Sequence, residues 1–193
     1  LRDGAVVSIA KVAVLDDPAR PTPTTLRLSA PRIALHNGSV VSAESTGNVA
    51  ASAIVVEAGQ LRLDGSGIST AANDGNGGAI TVRADTALHL RRSAIMTSVF
   101  GTSGNGGDIA IATPALALES GFIQANTAAR DAAGGLVRID VGSLVASGNT
   151  LLLGGDQPDA FQPLVPGFNV VQAAAPTGVS GVVQVTSPVL DVT

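Results

Sequence analysis

The chain has 193 residues, of which 45% are apolar, 13% charged and 2% aromatic, with 23 Gly, 10 Pro and no Cys, Trp or Tyr. Low charge and ample apolar content exclude a disordered chain, and a net charge of −4 with 11 Lys+Arg excludes a generic nucleic-acid binder, which needs a basic field on phosphate. Absence of cysteine excludes disulfides, thiolate metal sites and cysteine nucleophiles, no apolar run approaches the roughly 18 residues of a membrane span, and Leu1-Arg2-Asp3 begins no signal peptide.

In chain order, Leu1 and Val6 are followed by an insertion at about 10–25, centred on Asp16-Asp17-Pro18-Ala19-Arg20-Pro21-Thr22-Pro23. Proline cannot donate to a central ladder, so this stretch is predicted to be an extended loop. From Leu26 onward, apolar residues come in pairs two apart, the spacing of a strand. Leu26/Leu28 and Ile33/Leu35 lead to Val40; Ile54/Val56 and Leu61/Leu63 lead to Ile68; Ile80/Val82 and Leu88/Leu90 lead to Ile95. Ile109/Ile111 and Leu116/Leu118 then lead to Ile123, and Val137/Ile139 with Leu144/Ala146 lead to Leu151. After a second insertion, at 152–182, come Val183/Val185 and Leu190/Val192.

These residues align in five columns, with Leu1 in the fourth and Val6 in the fifth. From Leu28 to Val56, Val82, Ile111 and Ile139 the periods are 28, 26, 29 and 28 residues, and one extra residue stands between Val82 and Leu88. Gly, Asn, Ser, Pro and Asp fill the breaks between pairs, as turns require. A strand so short finds its partner one repeat along, in parallel. The prediction is all-β: a right-handed parallel β-helix of about six coils with three short strands per coil, its hand taken from the usual chirality of parallel crossovers. Both ends fall mid-coil, so 1–193 is expected to be a single β-helix segment of a longer protein.

The insertion at 152–182 carries Asp156, Asp159, Phe161 and Phe168. Loops on a rigid solenoid are where recognition concentrates, which makes these four the candidate recognition residues. The competing structural role is a lid in which Phe161 and Phe168 fold back over a strand face. Asp156 with Asp159 is also the best remaining pair for a metal ion.

Gly75-Asn76-Gly77-Gly78-Ala79 and Gly104-Asn105-Gly106-Gly107-Asp108 superficially resemble calcium-binding nonapeptides. Those repeat every nine residues so that carboxylates of adjacent turns share an ion. Here the copies are 29 residues apart, from Gly75 to Gly104, and Ala79 stands in the place of Asp108. Glycine is expected instead to supply positive φ at a corner and to permit close stacking. Among outward positions, Asp64 and Glu119 fall two coils apart with Arg91 between them, which reads as a charge ladder before it reads as a catalytic carboxylate pair. His36 and His89 occupy different strand positions and suggest no metal site. No catalytic, cofactor or metal residue is assigned.

The run Gly75-Asn76-Gly77-Gly78-Ala79-Ile80-Thr81-Val82, then Leu88-His89-Leu90 and Ala94-Ile95-Met96-Thr97, resembles repeats of filamentous-haemagglutinin-like exoproteins, the passengers of two-partner secretion. The closing Gly178-Val179-Ser180-Gly181-Val182-Val183-Gln184-Val185-Thr186-Ser187-Pro188 is similar to the end of that group's haemagglutinin-like outer-membrane proteins. The resemblance implies export through an outer-membrane transporter partner, a secreted or cell-surface location, and adhesion to a host-cell, glycan or matrix ligand. The expected function is that of a non-enzymatic structural or adhesive segment. A carbohydrate-active β-helix (lyase or glycosidase) and a surface-lattice component are the alternatives.

Overall fold

The computed structural model describes residues 1–17, 24–148 and 150–192. The core of the first predicted insertion, 18–23, lies outside the described residues. Within them the chain is an all-β parallel solenoid of about four turns. Its strands are β1 (Val6–Ser8), β2 (Thr25–His36), β3 (Val40–Ser42), β4 (Ala53–Asp64), β5 (Gly67–Ser69), β6 (Ile80–Met96), β7 (Ile109–Gln124), β8 (Val137–Ala146), β9 (Thr150–Leu153), β10 (Phe168–Gln172), β11 (Val183–Thr186) and β12 (Val189–Val192). Together they form one winding sheet in which every pairing between strands is parallel.

Four of the five predicted columns are ladders in the observed register. The first runs Leu26, Ile54, Ile80, Ile109, Val137, Val183, and the third runs Ile33, Leu61, Leu88, Leu116, Leu144, Leu190. The extra residue before Leu88 is absorbed as a bulge between Arg83 and Ala87. Ile54, Ile80, Leu61, Leu63, Leu88, Leu90 and Ile95 are wholly buried in one continuous core, each contributing roughly 1.5–3 kcal/mol relative to exposure.

The pairs expected as separate short strands run together. β2 and β4 each carry two pairs through a corner without losing the ladder, and β6 and β7 extend through the fifth column as well. An extended corner keeps its backbone groups in the pairing direction, so the hydrogen bonding continues round the bend.

The fifth column is corrected at three of its members. Its ladder is Val7, Val41, Ile68, Ile95, Ile123, Val171. Val41 is buried, whereas Val6 is 62% exposed and Val40 half-buried, because strand alternation turns the first valine of each Val-Val pair outward. Leu151 does not follow Ile123. β9 lies beyond β10, pairing Leu151 with Asn169, and Val171 takes the place beside Ile123. Part of the 152–182 insertion is therefore a core strand.

Glycine sets how closely the coils approach. A Cβ on Gly107 would lie 2.3 Å from the Gly78 carbonyl oxygen, and one on Gly135 would lie 2.1 Å from that of Gly107. Gly75 and Gly104 adopt φ of 97° and 114°, the corner conformation expected of them. The polar residues of the same runs act as caps. Asn76 Oδ1 accepts the Asn105 N–H at 2.9 Å, Asn105 Oδ1 accepts the Ala133 N–H at 2.8 Å, and Asp108 Oδ1 accepts the Leu136 N–H at 2.8 Å.

Candidate recognition groove

Along the wall formed by β3, β5, β6, β7 and β10, residues that alternate with the buried fifth ladder point outward. Ser42, Ser69, Met96, Gln124 and Gln172 form one such row. Ala94, Phe122 and Val170 form another, a small apolar cluster outside the main core. The segment between β9 and β10 folds over this second cluster. The Phe161 ring meets Phe122 edge-on with centroids 5.1 Å apart, and Phe168 meets it at 5.8 Å. Both phenylalanines thus serve as the lid that the sequence offered as the alternative to recognition.

Gln172, buried at the end of β10, ties the segment down. Its Nε2 donates to the carbonyl oxygens of Gln157 (2.7 Å) and Gly154 (3.3 Å) and to Asp159 Oδ2 (3.3 Å). Its Oε1 accepts from the Asp159 N–H (3.0 Å), Asn126 Nδ2 (3.3 Å) and Gln124 Nε2 (3.4 Å). Gln124 Nε2 also donates to the Asp159 carbonyl at 2.7 Å. An amide with both ends filled inside a protein is rigid, because each lost partner leaves a desolvated group behind.

So anchored, the segment walls a cleft of about 430 Å³ lined mainly by apolar atoms, including Met96, Val99, Phe100, Asp159 and Phe161. Across Phe100 and Met96 it adjoins a second cleft of about 200 Å³ that includes Glu44, Ser45, Ser69 and Asn73. The two share a floor made by the parallel bridges Ser45–Ala72–Val99–Thr127, so the groove crosses successive coils. On the far side of the segment, Pro163, Leu164 and Pro166 face Arg91, Arg92 and Glu119 across a cleft of about 340 Å³.

The four candidate residues are thus separated. Asp159 and Phe161 line the groove, Phe168 packs behind it on Phe122, and the exposed Asp156 lines neither cleft. Asp159 does not join Asp156 at an ion site, since it turns toward Gln172, and among the described residues no three His, Asp or Glu side chains gather as metal ligands. Gln172, Gln124, Asn126 and Phe100 were not legible as site residues. One signal was present: Ile123-Gln124 recurs as Val171-Gln172, the two pairs that β7 and β10 place in register.

The outer charge ladder is present. Arg91 NH1 donates to Asp64 Oδ2 at 3.1 Å and Arg91 Nε lies 3.7 Å from Glu119 Oε2. Arg92 NH2 adds a contact of 3.0 Å to Asp64 Oδ1, and Arg62 NH2 lies 3.7 Å from Asp64 Oδ2. Burial raises the pKa of Asp64, but the Arg92 hydrogen bond and the charges of Arg91, Arg92 and Arg62 outweigh it and hold the carboxyl below its ordinary value. Glu119 also meets His89 Nε2 at 2.9 Å, a partner that the sequence did not suggest.

No protein-family model matches the chain, and neither a curated protein nor a solved structure matches it.

Proposed function

We propose that the chain is a structural and adhesive segment of a secreted or surface-exposed bacterial exoprotein of the filamentous-haemagglutinin kind, with its contacts made at the groove beside the 154–167 segment. This reading takes the body as a right-handed β-helix of about six coils, counting partial ones, that reached the cell surface through an outer-membrane transporter. Its supports are the solenoid architecture and the repeat resemblance of Gly75–Val82 and Gly178–Pro188. A stack of coils with a rigid outer wall suits a stalk, since each coil rests only on its neighbours and length adds reach without altering the fold.

The observation that carries the adhesive role is the anchoring of the segment by buried Gln172. A loop held by four contacts to the Gln172 amide presents a fixed surface and loses little entropy when it binds. A non-catalytic role is favoured by Arg91, which stands between Asp64 and Glu119 where a hydrolytic pair would hold a water.

The test is adhesion of beads coated with the purified chain to epithelial cells, comparing the native protein with one in which residues 156–166 are replaced by a short Gly-Ser link. Loss of binding with unchanged β-sheet circular dichroism supports the role. Equal binding by both proteins removes the segment, and the adhesive reading of it, from consideration.

A further inference from the structure

The chemistry of the groove narrows what it can hold, an inference that rests on the adhesive reading just given. Its two halves meet at Phe100, whose side chain stands 64% exposed where large apolar groups are usually covered. A flat exposed ring accepts the C–H face of a pyranose or a cation. Around it lie polar atoms with unused capacity. Gln124 Nε2 and Asn73 Nδ2 are engaged, but their side-chain oxygens accept no hydrogen bond among the described residues. Ser45 Oγ, on the floor of the smaller cleft, is the buried side-chain oxygen there that has no partner.

Charge fixes the ligand class. Glu44 lines one half and forms no ion pair among the described residues, Asp159 lines the other with Oδ2 held by Gln172 Nε2, and no Lys or Arg lines either half. Such a groove attracts ammonium groups and repels sulfate or carboxylate. The floor from Ser45 to Thr127 crosses three inter-coil spacings of about 4.8 Å, or roughly 14 Å, the reach of a short oligosaccharide and more than a single ring needs. We propose that this groove binds an oligosaccharide of amino sugars, one ring stacked on Phe100 and an ammonium group directed to Glu44. The hydroxyls of the ligand meet the free oxygens of Gln124 and Asn73 and the hydroxyl of Ser45.

Titration calorimetry of the purified chain tests this with three probes: a glucosamine tetrasaccharide, its N-acetylated form and a heparin tetrasaccharide. The glucosamine form is expected to bind tightest and heparin weakest. Phe100→Ala is expected to weaken glucosamine binding by about tenfold or more, Phe100→Trp to retain it, and Glu44→Gln to erase the preference over the N-acetylated form. Both positions are at the surface, and circular dichroism checks that the variants fold. Equal binding of heparin, unchanged binding by Phe100→Ala, or equally tight binding of a lysine-rich peptide would overturn the assignment. In the cell assay, adhesion that needs residues 156–166 but is untouched by Phe100→Ala would overturn the sugar assignment while leaving the adhesive role standing.

Discussion

Arg91 and Arg92, neighbours in sequence, grip the two oxygens of a single carboxylate: Arg91 NH1 lies 3.1 Å from Asp64 Oδ2 and Arg92 NH2 lies 3.0 Å from Asp64 Oδ1. Successive residues of a strand face opposite ways, so this grip needs the chain to turn between them, and Arg92 does so at φ 47°. Because the folded pKa of Asp64 is lowered, its contribution to stability is present above the ordinary aspartate value and is lost as pH falls through the lowered one. Asp64→Asn is expected to cost about 1–2 kcal/mol at pH 7, or several degrees in Tm. Thermal melts of both proteins from pH 7 downward should converge as the pH passes below the ordinary aspartate range and through the lowered value. A gap that stays constant over that range would show that the ion pairs contribute nothing.

The stacked glycines make a sharper demand. Gly107→Ala places a Cβ 2.3 Å from a carbonyl oxygen of the preceding coil, where only movement of backbone can relieve it. Gly38→Ala has open space around its Cβ but sits at φ 77°, so it incurs only the conformational cost of about 1–2 kcal/mol. Urea melts should rank Gly107→Ala well below Gly38→Ala, at a loss of about 3 kcal/mol or more. Similar midpoints would mean that the coils are not packed through Gly78, Gly107 and Gly135.

Register in the fifth ladder is testable by truncation. Val41→Ala and Val171→Ala remove wholly buried side chains and are expected to cost about 1–2.5 kcal/mol each. Val40→Ala and Leu151→Ala act at half-buried positions and should cost less. The reverse order in denaturant melts would restore the register that the repeat spacing alone suggests.

That ladder also marks where the sequence stops being informative. Columns one to four were legible because apolar pairs two apart recur at nearly constant offsets in successive repeats, so that the recurrence picks out the buried face even where Val55, Ala110 or Val145 stands between the pair. Val6-Val7 and Val40-Val41 offer two adjacent candidates, and spacing cannot choose between them. Leu151 met the expected offset, and nothing local distinguishes it from a core position. Its displacement by Val171 arises because the chain leaves β9, crosses the wall and returns through Phe168–Gln172, a long-range pairing that no local period encodes. The groove was hidden for the same reason. Phe100, Gln124 and Gln172 come from different coils, and only the stacking brings them together. The Asp64–Arg91–Glu119 ladder was legible because its members share one column.

The attachment of the 154–167 segment should depend on Gln172 more than on either phenylalanine. Phe161→Ala removes one ring contact on Phe122, and the hydrogen bonds of Gln172 remain. Gln172→Leu removes all of those bonds together and leaves Gln124 Nε2 with the Asp159 carbonyl alone. Hydrogen exchange is therefore expected to rise at least tenfold across residues 154–160 in Gln172→Leu and only modestly in Phe161→Ala, with protection of β6 and β7 unchanged in both. Larger deprotection in Phe161→Ala would place the anchor in the aromatic cluster. Since the groove wall includes Asp159 and Phe161, Gln172→Leu should also weaken whatever binds there, although its side chain is shielded from solvent and touches no ligand.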